Sequence, residues 1–135
     1  YEISECLVGS EMCIRDRVCT DKNSITGELA GAYPPIPGLT TYRRSVSVRE
    51  QGITLRDETD HPGTVELTLL TEQQPVPAAD GFVVGTLGGI RFDPDAVTAA
   101  VAPVSITDPR LRTAWPETIY KITLHFQKML DLELY

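Results

Sequence analysis

Helix signals are almost missing from this chain. Apolar residues seldom recur at the three-to-four spacing of an amphipathic helix, so a helical bundle or an alternating α/β plan is excluded. No apolar run approaches the ~20 residues of a membrane-spanning helix. Basic charge is scarce as well: twelve Lys and Arg stand against nineteen Asp and Glu, a net charge of −7. With no basic stripe either, the chain has no electrostatic footprint for nucleic acid. Aromatic residues make up 7%, with one tryptophan, and no line of aromatics marks a sugar-stacking platform. Internal repeats and low-complexity tracts are absent, which removes the repeat architectures and flexible linkers.

Cysteine is nearly absent too once the first seventeen residues are set apart. Leu7-Val8-Gly9-Ser10-Glu11-Met12-Cys13-Ile14-Arg15-Asp16-Arg17 resembles the translated read-primer and transposase end of a common sequencing-library adapter. Tyr1-Glu2-Ile3 resembles the tail of the same adapter's flow-cell arm. Residues 1–17 are therefore read as a leader that is not native protein, expected to be disordered, and are excluded from fold reasoning. Residues 18–135 are expected to be one domain, an incomplete C-terminal fragment whose native N-terminal part lies upstream. Cys6 and Cys13 belong to the leader, which leaves Cys19. A lone thiol is expected to form neither a disulfide nor a cysteine-based zinc site. The compartment stays open, since a signal peptide cannot be sought.

What the chain does have is strand and turn chemistry. Tyr42, Arg44, Val46 and Val48 fall on one face, and Arg43, Ser45, Ser47 and Arg49 on the other. That period of two is a half-buried strand, with Arg44 breaking the apolar stripe. Glu50-Gln51-Gly52 predicts a tight turn into Ile53, Leu55 and Asp57, hence a hairpin. Asp60-His61-Pro62-Gly63 is a second turn, followed by a strand through Val65, Leu67 and Leu69. Gln73 to Pro77 predicts a proline-stiffened loop that cannot continue a ladder. Phe82-Val83-Val84 and Ile90-Arg91-Phe92 flank Gly88-Gly89 as a second hairpin, and Asp93-Pro94-Asp95 is a corner. Val97, Ala99 and Val101 favour a strand leading to Val104 and Ile106. Asp108 to Arg112 is an irregular crossing segment. Thr118 to Gln127 shows the cleanest alternation, with Tyr120, Ile122, Leu124 and Phe126 on one face. Leu130, Leu132 and Leu134 keep the same period and are expected to pair at an edge. Some seven short strands without intervening helices predict an all-β fold, an antiparallel β-sandwich of two packed sheets.

The order of several segments resembles the heparinase II/III-type polysaccharide lyases. They are Gly31-Ala32-Tyr33-Pro34, Leu39-Thr40-Thr41-Tyr42-Arg43-Arg44-Ser45-Val46, Ile53-Thr54-Leu55-Arg56-Asp57 and Val65 to Thr71. Asp108-Pro109-Arg110-Leu111-Arg112-Thr113-Ala114-Trp115, running into Ile119 to Leu124, carries most of the likeness. Pro116 stands where the family usually has glycine, and Lys121 where it usually has arginine. The resemblance implies the C-terminal, non-catalytic β-sandwich portion of an enzyme that cleaves uronic-acid-containing polysaccharides by β-elimination. Its partners would be a helical toroid preceding it in the same chain and, in the full-length protein, an acidic polysaccharide. A base must then take the proton α to a carboxylate while a cation stabilises the resulting charge. In the family the Tyr and His groups lie at the toroid–sandwich cleft, and the zinc of some members is held by residues upstream of this stretch. The fragment alone is thus expected to be inactive, to hold no cofactor, and to expose an apolar surface where the toroid docks. The alternative is a carbohydrate-binding or adhesion-type sandwich module without enzymatic activity.

No residue is assigned a catalytic, cofactor-binding or metal-ligating role. His61 reads as a turn residue and His125 as a residue on the polar side of a strand. Arg43 and Arg44 could contact an acidic glycan, but cross-strand pairing with Asp57 or Glu58 is the plainer expectation. Tyr33, Tyr42, Tyr120 and Trp115 are sugar platforms only if exposed; alternation places them in the core or at corners. Gly85-Thr86-Leu87-Gly88-Gly89 precedes a strand rather than a helix N-terminus, which argues against a phosphate cradle.

Overall fold

The computed structural model describes residues 13–14 and 18–135. The backbone enters through three short strands: β1 (Cys13–Ile14), β2 (Val18–Thr20) and β3 (Ser24–Glu28). Then come β4 (Tyr42–Arg49), β5 (Gly52–Thr59) and β6 (Thr64–Thr71). A smaller trio follows in β7 (Pro75–Ala78), β8 (Gly81–Val84) and β9 (Gly88–Arg91). The chain ends in β10 (Thr98–Ser105), β11 (Thr118–Gln127) and β12 (Met129–Leu134). Helical structure among the described residues is limited to 3₁₀ turns at Ala30–Ala32 and Leu111–Thr113. No helix among these residues is long and apolar enough to cross a membrane.

The strands form two antiparallel sheets packed face to face, the expected β-sandwich. The larger has nine strands in the order β1-β2-β3-β4-β5-β12-β9-β8-β7, and the smaller runs β10-β11-β6. Period-two alternation turns one face of each sheet inward. From the smaller sheet Leu67, Ile122, Leu124 and Phe126 meet Tyr42, Phe82, Ile90, Leu130 and Leu132 of the larger, joined by Val97. Burial of these side chains is the main driving force for the layered arrangement, at roughly 1.5–3 kcal/mol for each large apolar group.

The β4–β5 hairpin forms as predicted, with Arg49 opposite Gly52 across Glu50-Gln51. A Cβ on Gly52, whose φ is +152°, would fall on the Leu134 carbonyl, so glycine is required there. The turn at residues 60–63 and the strand from Thr118 to Gln127 also match the pattern; β8 and β9 form the expected hairpin, but its turn is Gly85-Thr86-Leu87, and Gly88 and Gly89 are paired residues of β9.

Three further expectations are corrected. The proline segment is a strand, because β7 lies at the outermost edge of the sheet. Pro75 and Pro77 are two apart and share a side, so their missing donors can face the free edge while Val76 and Ala78 pair with β8. The terminal strand β12 is not an edge: it pairs with β5 on one side and β9 on the other. Its inward Leu130 and Leu132 are almost wholly buried. Finally, Cys19 is disulfide-bonded. Setting the leader apart had removed its possible partners from the count, yet in the backbone register Cys13 lies directly opposite Cys19. The rest of the expectation for residues 1–17 lies outside the described residues, apart from Cys13–Ile14, which forms β1. Strands β2 and β3 carry no clear alternation and are not marked by the sequence pattern.

Candidate functional site

The outer face of the larger sheet carries the polar half of each strand. Register aligns Ser24, Ser47, Thr54, Glu133 and Arg91 in one row across β3, β4, β5, β12 and β9. The next row is Thr26, Ser45, Arg56 and Asp131. Short hydroxyl side chains in the middle and long charged ones around them leave a groove of about 460 Å³. Ser45, Ser47 and Thr54 floor it, and Arg49, Arg56, Arg91, Asp131 and Glu133 rise at its rim.

Neighbouring acids hold two of the guanidinium groups in place. Arg56 Nε lies 2.8 Å from Glu58 Oε1 and Arg56 Nη1 lies 3.5 Å from Asp131 Oδ1. Arg91 Nη1 lies 2.9 Å from Glu133 Oε1, and its guanidinium stacks 3.8 Å over the Tyr135 ring. These pairs are about half exposed, so each contributes roughly 0–1 kcal/mol to stability. Their effect is to orient donors. Arg49, at one end of the groove, makes no ion pair or side-chain hydrogen bond with another described residue. The Thr26 and Ser45 hydroxyls are 3.0 Å apart. Hydroxyls that both donate and accept, set beside forked cations, suit sugar hydroxyls and carboxylates. No histidine lines the groove.

Arg44 takes no part in this groove. It lies on the inner face, directly opposite Asp57. Its Nε donates to Asp57 Oδ1 and its Nη2 to Oδ2, both at 2.7 Å. The Tyr42 hydroxyl donates to Oδ2 at 2.6 Å, and Asp57 is wholly buried. The cross-strand pairing expected of Arg44 is thus its actual role. Arg43 lies on the outer face beside Glu28 and Glu58 in register.

Burial disfavours the Tyr42 phenolate, and the Asp57 carboxylate adds a hydrogen bond and a like charge, so its pKa lies well above the usual tyrosine value. A raised folded-state pKa gives stability that is complete below the unfolded value of about 10 and is lost as pH rises beyond it. Urea unfolding from about pH 8 to about pH 11 should show stability falling at the alkaline end. Tyr42→Phe should flatten that fall; an unchanged slope would remove Tyr42 as its source.

The remaining candidates are dispersed. His61 Nδ1 accepts from the Gly63 N–H at 3.1 Å, a local turn contact. It borders a 220 Å³ pocket with Tyr33, Ile36, Leu39, Tyr42 and Glu66. Asp60 ties that turn to the Leu39 loop by accepting from the Thr40 hydroxyl and from the Thr41 and Thr40 amides, which hold its carboxyl far below the ordinary range. His125 Nε2 lies 3.2 Å from Glu66 Oε2 across the β6–β11 ladder. Among the described residues no three His, Cys, Asp or Glu side chains converge as a metal site. Tyr33 packs against Tyr42 with ring centroids 6.2 Å apart, and Tyr120 is half-buried. Trp115 is 43% exposed beside the second 3₁₀ turn. Gly85, Thr86 and Leu87 form the β8–β9 turn, and Gly88 and Gly89 are the first residues of β9.

Arg49, Ser45 and Ser47 were visible as one polar strand face. Arg91, Asp131 and Glu133 were not connected to it, because β12 joins β5 to β9 only in three dimensions. No family model matches the chain, and no curated protein matches it.

Proposed function

We propose that this chain is the non-catalytic β-sandwich portion of a heparinase II/III-type polysaccharide lyase. In this reading the arginine-rimmed groove forms part of the wall along which a uronate-bearing polysaccharide lies. The groove carries the reading: three guanidinium groups, two of them oriented by Asp131 and Glu133, stand around a hydroxyl floor on an acidic protein. Arg49 is positioned to take a sugar carboxylate, and the Ser45, Ser47 and Thr54 hydroxyls to meet ring hydroxyls.

The test is titration of the chain with uronate oligosaccharides, followed by amide chemical shifts. Shifts should concentrate at Ser45, Ser47, Thr54 and Arg91. Arg49→Ala combined with Arg91→Ala should weaken binding at least about tenfold, as expected for lost charge-assisted hydrogen bonds. No ultraviolet absorbance from unsaturated uronic ends should develop. Absence of groove shifts at millimolar sugar would end the cleft-wall reading, and new absorbance would end the non-catalytic one. The exposed Trp115 ring favours a second reading, a carbohydrate-binding module without lyase partners. In that case Trp115→Ala, rather than the arginine changes, abolishes binding.

A further inference from the structure

Independently of the sugar reading, we infer that the free edge of β6 accepts an extended strand from a partner polypeptide, enlarging the smaller sheet. The four sheet edges among the described residues are unequal. At one end of the large sheet β1 has two residues; at the other, β7 has four, two of them proline. In the smaller sheet, edge strand β10 contains Pro103. Short strands and prolines are the usual means of keeping edges unpaired. β6 has neither: Thr64–Thr71 is eight residues long, without proline or lysine. Its single charge, Glu66, has a carboxylate oxygen 3.2 Å from His125 Nε2. Alternate residues of β6 present backbone N–H and C=O groups away from β11, a ready template for another strand.

Beside that edge the large sheet has inward-facing apolar residues that lie outside the core cluster formed by the described residues. Ile25 and Val46 share a register row with Leu55 and Leu132, and Val48 and Ile53 share one with Leu134 and Ile90. Leu132 and Ile90 are buried, whereas Ile25 is 47% and Val48 59% exposed. None of Ile25, Val46, Val48 and Ile53 belongs to the core or packs against it. A strand added to β6 would carry its inward side chains over this shelf.

The overhang also decides what fits. Beyond β5, the strands β4, β3 and β2 extend the large sheet by about 14 Å at the usual strand spacing. A second copy pairing antiparallel through β6 would bring its own overhang into the same layer, with only about 5 Å between the paired strands. The two overhangs collide. A lone extended segment has no such layer and fits. It should alternate apolar residues toward the shelf with polar ones outward, with Lys or Arg opposite Glu66.

A synthetic peptide of about ten residues, alternating Val or Leu with Thr and Lys, tests this. Hydrogen exchange should slow at least about tenfold at alternate amides of residues 64–71 when the peptide is added. N-methylation of the peptide amides on its β6-facing side should abolish that protection, while methylation on the other side should leave it. Val46→Asp should weaken peptide binding without altering the β6–β11 ladder. Equal binding by both methylated peptides, protection outside residues 64–71, or dimerisation through β6 would each overturn the inference.

Discussion

Asp57→Ala is expected to lower the unfolding free energy by about 3–5 kcal/mol, the range for breaking a buried ion pair by removing one partner. The carboxylate is wholly buried and accepts three hydrogen bonds, two from Arg44 and one from Tyr42. Both its oxygens are engaged, and the Arg44 fork is bidentate, the strongest geometry for such a pair. Alanine removes every acceptor at once. A guanidinium only 31% exposed and a buried phenol would then lack partners, and each unsatisfied group carries its own desolvation penalty. Asp57→Asn keeps the shape and part of the hydrogen bonding, so it should cost less. The sharper comparison is the triple change Tyr42→Phe, Arg44→Met, Asp57→Leu, which removes the polar groups together. It should recover most of the loss, since apolar replacement of a whole buried network is often neutral or stabilising. Urea unfolding at neutral pH with an unchanged m-value measures all three. A loss below about 1 kcal/mol for Asp57→Ala would mean that the network contributes little to the fold.

That network shows how far the sequence could be read. Arg44 stood out as a flaw in an apolar stripe, and Asp57 was named among its possible cross-strand partners. A two-residue turn sets the register of the hairpin, so the pairing followed from local chemistry. β11 was legible over its full span because every second residue is large and apolar, and a central strand in a small sheet needs that. The misreadings share a cause. Proline argues against a strand only when both sides of the backbone are paired, and β7 has one free side. A leucine repeat at the chain's end suggests an edge, but connectivity lets the last strand insert between β5 and β9. The groove was half legible for the same reason: its floor lies on one hairpin, whereas Arg91, Asp131 and Glu133 reach it only through that insertion. The Cys19 disulfide was missed because its possible partners lay in residues excluded as a leader.

Phe126→Ala is expected to cost about 3–5 kcal/mol, as large-to-small changes at buried phenylalanines do. Phe126 is 2% exposed and belongs to the core cluster with Leu124 and Leu130. Its position adds to the ordinary cavity penalty. β11 lies in the smaller sheet and β12 in the larger, and only Lys128 separates them. Lys128 takes φ +64°, an uncommon conformation for a residue with a side chain. Its carbonyl accepts from the Thr59 N–H at 2.8 Å, and its Nζ donates to the Asp60 carbonyl at 3.1 Å. The chain thus changes layers within one residue, and Phe126 and Leu130 fill the core on either side of that corner. Emptying the Phe126 site should loosen the corner as well as the interior. Exchange at the Thr59 amide should therefore rise in Phe126→Ala by more than in Leu67→Ala, a buried change on β6 away from the corner. Phe126→Leu, which keeps much of the volume, should lose less than about 1.5 kcal/mol and leave Thr59 protected. Equal exchange at Thr59 in the two alanine variants would separate the corner from the core and reduce Phe126 to one cavity among several.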